Sequence, residues 1–302
     1  MNGFLVFGLG YTGRAITMLA RDAGFAVAVT SRDAAAQLPE GVTVVPFEAA
    51  GEVIARATHI VSTAPVDHGR DPVLARWRDQ LAASKDLRWA GYLSTTSVYG
   101  DHAGGWVDED TPPTPSGPRG AARLAAEREW VAALAGRCAT DLFRVAGIYG
   151  PGRSALDDVR SGRARRIDKP GHAFGRIHRD DIAEAVIAAA RQDRPPGFRV
   201  LNLNDDEPAE SAIVTAEAAR LLGAPLPPLV PFDQAFGTMG EMARSFWSES
   251  RRVASRKTQA ALAHHWRYPT FREGLAAILA AERADAEQAA DQPGQQRDVG
   301  RP

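Results

Sequence analysis

Gly3-Phe4-Leu5-Val6-Phe7 runs straight into Gly8-Leu9-Gly10-Tyr11-Thr12-Gly13, and a helix-forming stretch from Arg14 to Arg21 follows without a break. A short apolar run, a G-x-G-x-x-G turn and a helix in that order predict a strand handing its chain to a helix across a tight corner. Gly8 permits the turn, Gly10 leaves room for an anion to approach the backbone, and Gly13 lets helix and strand pack closely. The free N–H groups and the dipole of the helix start then face that anion. Gly8, Gly10, Tyr11, Thr12 and Gly13 are therefore the expected pyrophosphate contacts of a dinucleotide.

Working outward, the next strand ends in Val29-Thr30-Ser31-Arg32-Asp33. A site for NAD carries an acid about 20 residues past the glycine turn, on the adenosine ribose. Ser31 and Arg32 suit a 2′-phosphate better, because arginine offers a charged fork of donors. NADP is the expected cofactor. NAD is the alternative, in which Asp33 takes the ribose.

The alternation continues. Apolar runs at 26–30, 42–46, 59–63, 89–95, 140–146 and 198–204 read as strands, and 11–23, the stretch from Asp71-Pro72 to Lys85, 119–136 and 181–191 read as helices. This is the pattern of an α/β fold, a doubly wound parallel Rossmann sheet, with a smaller C-terminal substrate-binding lobe. The expected division is a dinucleotide-binding domain over 1–147 plus 177–204 and a substrate lobe over 148–176 plus 205–283. A disordered tail is expected over 284–302. The loop at 101–118 is too long for a simple connector and is a candidate active-site loop.

A hydrophobic fraction of 44% with 24% charged residues is enough for a sizeable core, and the net charge of -1 argues against nucleic acid or an anionic membrane as partner. The lone Cys138 allows no internal disulfide and fits a reducing compartment. Phe4 to Phe7 is too short for a signal segment, and no run approaches the roughly 18 apolar residues of a membrane span. A soluble, cytoplasmic protein is expected, with no metal.

Ser94-Thr95-Thr96-Ser97-Val98-Tyr99-Gly100-Asp101, the segment from Arg144 to Gly152, Ile177-His178-Arg179-Asp180-Asp181-Ile182-Ala183 and Ser255 to Leu275 carry a resemblance. Together with the glycine turn, these segments resemble the extended short-chain dehydrogenase/reductases. In overall wording they come nearest the atypical, YeeZ-like members, the NAD-dependent epimerase/dehydratase-like group. The resemblance implies a seven-stranded core, a cleft beside a small C-terminal lobe, and Thr95 as the hydroxyl that orients the substrate oxygen. It also implies a possible homodimer through the 119–136 helix.

That family's chemistry uses Tyr-x-x-x-Lys, the tyrosine moving the proton and the lysine lowering its pKa. Four residues after Tyr11, Tyr92, Tyr99, Tyr149 and Tyr268 stand Ala15, Thr96, Ala103, Arg153 and Arg272. The pair is absent. Matching the helix by Arg123-Leu124-Ala125-Ala126-Glu127 puts Arg119 at the tyrosine's place and Arg123 at the lysine's. Arginine, with a pKa above about 12, neither gives nor takes a proton at neutral pH, although it holds anions well. Arg123 remains a candidate for the cofactor ribose. Tyr99 and His102 are then the candidate acids, just beyond Thr95.

On the substrate side Arg119, Arg153 and Arg244 are candidates for an anionic small molecule, within a scatter that includes Arg160, Arg163, Arg165, Arg166, Arg251 and Arg252. Two readings follow: an NADP-dependent oxidoreductase or epimerase-like enzyme on a small anionic substrate, and a non-catalytic NADP(H)-binding redox sensor or regulatory scaffold.

Overall fold

The protein was analysed as a computed structural model that describes residues 2–33 and 38–290. Seven strands form one wholly parallel sheet: β1 (Gly3–Phe7), β2 (Ala26–Ser31), β3 (Val42–Pro46), β4 (His59–Ser62), β5 (Trp89–Thr95), β6 (Ala139–Val145) and β7 (Gly197–Leu203). Their order is β7-β6-β5-β4-β1-β2-β3. The chain builds outward from β1 to β3, returns past β1, and builds outward again from β4 to β7. The crevice at the carboxyl ends of β1 and β4 is thus the topological switch point, where ligands of such sheets bind.

Helices α1 (Tyr11–Asp22), α2 (Gly51–Arg56), α3 (Pro72–Ala83), α4 (Pro118–Leu134), α5 (Ala155–Arg160) and α6 (Arg179–Ala190) follow in chain order. Strand side chains alternate between two cores. Phe4 and Val6 pack with Ile16, Ile182 and Val186 from α1 and α6 on one face. Leu5 and Phe7 pack with Ile54, Leu74, Trp77 and Trp130 from α2, α3 and α4 on the other. Both faces being covered is why the strands read as unbroken apolar runs. Asp71 caps α3 by accepting from the Leu74 amide at 2.9 Å, with Pro72 in the first turn, as its sequence predicts.

The remaining helices are α7 (Ser211–Leu222), α8 (Phe232–Thr238), α9 (Glu241–Trp247), α10 (Arg256–Leu262) and α11 (Phe271–Ala290). Leu156, Val214, Ala218, Phe271, Leu275 and Ile278 bury a separate, smaller cluster around Tyr149. Helix α11 runs to Ala290, past the boundary at 283 where order is expected to end, and residues 291–302 of the expected tail lie outside the described residues. Among the described residues no helix is long and apolar enough to cross a membrane.

The loop at 101–118 is stitched down although much of it is exposed. Trp106–Val107 pairs in parallel with Arg252–Val253, and the His102 and Gly104 amides donate to the Ser250 carbonyl. Its acidic run holds α10: Lys257 donates to Asp108 at 2.6 Å and to Asp110 at 2.5 Å, and Thr258 donates its hydroxyl to Glu109 at 2.6 Å. Partners about 150 positions away leave no trace in local periodicity, so the sequence does not announce them.

Candidate active site

The glycine turn is built from backbone packing. A Cβ on Gly13 would stand 1.9 Å from the Gly8 carbonyl oxygen, so helix and turn meet at a distance only glycine allows. Gly8 has φ +102°, in the left-handed region, whereas a Cβ on Gly10 would meet nothing within 4 Å. The turn is pinned by two threonines. Gly8 donates its amide to Thr30 Oγ1 at 3.0 Å, and Thr63 Oγ1, just beyond β4, lies 3.0 Å from both the Phe7 and Gly8 carbonyls. Sequence reading passes over Thr63, because a strand-end threonine carries no motif of its own.

Helix α1 begins at Gly10 with no side-chain cap and no acid in its first turn. Its opening N–H groups therefore face the crevice without a competing carboxylate, the arrangement an anion requires. Thr12 is buried at the start of α1, and Tyr11 donates its hydroxyl to the Pro151 carbonyl at 3.0 Å between the guanidinium groups of Arg153 and Arg179. Ser31 closes β2, its hydroxyl accepting from the Asp33 amide at 3.0 Å, and Arg32 is exposed beside it.

At the carboxyl end of β5 lies a cavity of about 580 Å³, lined by Thr95, Arg119, Arg123, Arg251, Glu249 and Phe174 among others. Thr95 Oγ1 accepts from the Ser97 amide and lies 3.2 Å from both that amide and the Ser97 hydroxyl, which leaves its own proton free to turn toward a ligand. Arg123 donates to Tyr92 Oη at 2.8 Å, to the Leu93 carbonyl at 3.1 Å and to the Ala64 carbonyl at 3.4 Å. It is a fixed cation held by neutral oxygens. Arg119 stands one turn earlier on α4, exposed, and makes no hydrogen bond or ion pair among the described residues.

Beneath Thr95 lies a buried ionic support. Arg144, 4% exposed, grips Glu127, 2% exposed, through two bonds of 3.2 and 2.9 Å, and Ser94 donates to the same carboxylate at 2.5 Å. Bidentate geometry and full burial make this the strong form of the ion pair. The Arg144 guanidinium also lies 4.7 Å from the centre of the Tyr99 ring.

The structure brings Thr95, Arg119, Arg123 and, from the arginine scatter, Arg251 to one cavity, and leaves Tyr99, His102, Arg153 and Arg244 elsewhere. Tyr99 is fully buried, its hydroxyl donating to Asn202 at 2.8 Å, and burial pushes its pKa up. His102 Nε2 lies 3.1 Å from the Tyr99 carbonyl, away from the cavity lining. Arg153 lines a separate cavity beside Tyr149 and α5, and Arg244 is exposed on α9, donating to the Gly237 carbonyl at 3.1 Å. His178 is the cap of α6, its Nδ1 accepting from the Asp180 amide at 3.2 Å, and burial lowers its pKa to about 4.

His264, which with the adjacent His265 shows no third ligand in the sequence, gains neighbours from α6: ligand atoms of Asp181, Glu184 and His264 lie within 4.8 Å of one another. Asp181 already accepts from the Arg267 and Tyr268 amides, and burial raises its pKa to about 7. The Arg267 guanidinium stands 3.8 Å from Glu184. Asp181 is thus already served by backbone donors and Glu184 has a cation beside it.

No family model matches the chain. A Streptomyces protein named 3-diazoavenalumate denitrifying reductase is 30% identical over 183 residues, covering 56% of this chain and 58% of that protein. Protein YeeZ of Escherichia coli K12 is 32% identical over 133 residues, 44% of this chain and 45% of its own length. The chain thus spans about half the length of the curated relatives it matches. A functionally unknown conserved protein from Silicibacter pomeroyi has a solved structure that superposes with a TM-score of 0.80 at 40% identity, covering 95% of this chain and all of that one. MoeE5, solved with UDP-glucuronic acid and NAD, superposes at 0.74 with 22% identity over 94% of this chain and all of its own, which supports the fold.

Proposed function

We propose, for a chain that belongs to the extended, atypical short-chain dehydrogenase/reductases and to their YeeZ-like group, an NADP-dependent oxidoreductase acting on a small anionic substrate. The observation that carries this reading is the convergence of Thr95, Arg119 and Arg123 on one cavity at the carboxyl end of the sheet. The glycine turn fits a dinucleotide, because α1 starts uncapped and acid-free and Gly10 leaves open space before it. Gly8 to Gly13 would hold the pyrophosphate, Ser31 and Arg32 the 2′-phosphate, and Arg123 the ribose next to the nicotinamide. When bound, such a cofactor supplies or accepts a hydride.

The chain's own residues then orient and bind. Thr95 directs its free proton at a substrate oxygen, and Arg119 fixes an anionic group by charge-assisted hydrogen bonds. Arginine is no proton donor for catalysis, among the described residues no tyrosine or histidine lines the cavity, and its one carboxylate, Glu249, is held by Arg251. Such a site suits hydride chemistry that needs no proton from a side chain. The reductive loss of nitrogen described in the Streptomyces relative's name leaves no oxyanion to protonate, and so is of that kind.

The missing Tyr-x-x-x-Lys pair supports a second reading, a cofactor-binding sensor without turnover. Titration with NADPH and NADH, followed by NADPH oxidation against a panel of small anions, separates the two. Saturable NADPH binding about tenfold tighter than NADH and a roughly hundredfold rate loss in Thr95→Val are expected for the enzyme. NADPH binding with no turnover on any anion favours the sensor. No saturation by either nucleotide overturns both.

A further inference from the structure

The cavity has a second character besides charge. Phe246 of α9 stacks on Phe174 with ring centroids 4.4 Å apart and planes 11° from parallel, and both rings line the cavity. Phe174 is buried and fixed by Trp247, edge-on at 4.7 Å, and by His172 at 4.7 Å. Phe246 is 53% exposed. A large ring left half in water is ordinary in isolation, but here it extends an aromatic wall inside a concave site, continued by Val66, Val145 and Val253.

The charges of the lining are unbalanced. Arg251 is neutralised by Glu249 at 2.6 Å and donates to the Gly100 carbonyl at 2.7 Å. Arg123 has only neutral acceptors, and Arg119 has no partner among the described residues. Asp71, the buried cap of α3, feels the Arg123 charge without forming an ion pair with it. Arg119 is thus the guanidinium in the lining left to meet an anion, in the same cavity as an aromatic pair that favours flat apolar surface.

We infer that the substrate is a planar aryl carboxylate, its ring packed against the Phe174 and Phe246 wall and its carboxylate held by Arg119. The inference rests on the reading of this cavity as the substrate site. A stacked aromatic pair rewards planarity beyond the area it buries, whereas a saturated ring of similar size gains the area alone. The fork of Arg119 rewards the carboxylate over a neutral alcohol.

The test is calorimetric titration of the full chain with cinnamate, 3-cyclohexylpropanoate, cinnamyl alcohol and UDP-glucose, each with and without NADP+, with a separate titration of NADP+ itself. Cinnamate is expected to bind about tenfold tighter than the saturated acid or the alcohol. Phe246→Ala should remove the preference over the saturated acid, and Arg119→Ala the preference over the alcohol, each with NADP+ affinity and thermal midpoint unchanged. Phe246 and Arg119 are both exposed, so neither variant threatens folding. Cinnamate that fails to saturate up to about 10 mM while NADP+ binds normally overturns the substrate class alone. UDP-glucose binding more tightly than cinnamate and weakened by both variants also overturns it. Failure of NADP+ to bind instead overturns the cofactor reading, and the titrations without NADP+ still decide the aryl preference.

Discussion

The two ends of the crevice are built from different materials. At the β1 end the ligand-facing surface is backbone: glycines at contact distance, an uncapped helix start, and two neutral threonine hydroxyls pinning the turn. At the β5 end it is side chain: Thr95, Arg119 and Arg123, standing on the buried Arg144–Glu127 pair. A backbone surface tolerates few substitutions because every neighbour is covalently placed. A side-chain surface changes its chemistry one residue at a time while its scaffold stays. The contrast explains how a chain can keep its glycine turn while the side chains at its β5 end change.

The largest expected effect comes from the ionic support. Glu127→Ala strands the Arg144 guanidinium at 4% exposure with no counter-charge. Losing one partner of a buried pair costs roughly 3–5 kcal/mol, so the urea midpoint should fall steeply with the slope unchanged. A loss below about 1 kcal/mol would mean that the pair is not a support, and the contrast between the two ends would lose its footing.

Next is the backbone end. Gly13→Ala places a methyl group 1.9 Å from the Gly8 carbonyl oxygen, so either the helix start or the turn must move. NADPH affinity should fall by about a hundredfold, which corresponds to roughly 2.7 kcal/mol, read by fluorescence titration. Gly10→Ala, whose methyl group meets no protein atom within 4 Å, is the companion variant. If Gly10→Ala leaves binding intact, the open space before α1 is not where the pyrophosphate lies.

What sequence could reveal follows the same contrast. All seven strands, the glycine turn and the Asp71 cap were legible, because apolar runs, glycine spacing and caps are local signals. Thr95, Arg119 and Arg123 were legible as positions in a motif. Nearness in sequence to Thr95 makes Tyr99 and His102 candidates, but the short helical turn at Thr96–Tyr99 rotates the tyrosine into the core, where it meets Asn202 from β7. The roles of Thr63, Glu249 and the Phe174–Phe246 stack depend on contacts between distant segments. No spacing rule announces a residue whose partner lies on another element. Arg251 was visible only as one arginine among many, since all but three of the 36 basic residues are arginine.

The smallest expected effect is an absence of change, and it bears on the side-chain end directly. An enzyme with a tyrosine and lysine pair follows the titration of its proton donor, so its rate bends with pH near that pKa. The polar lining of the cavity is threonine and serine hydroxyls, arginines and Glu249, the last held by Arg251, while Tyr99 is buried on Asn202 and His102 faces a carbonyl. With a substrate that is itself fully ionised, kcat/KM should vary by less than about twofold between pH 6 and 9. A profile that bends within that range and is flattened in His102→Gln would return the proton to that histidine. It would also show that the loop at 101–118 reaches the cavity during turnover.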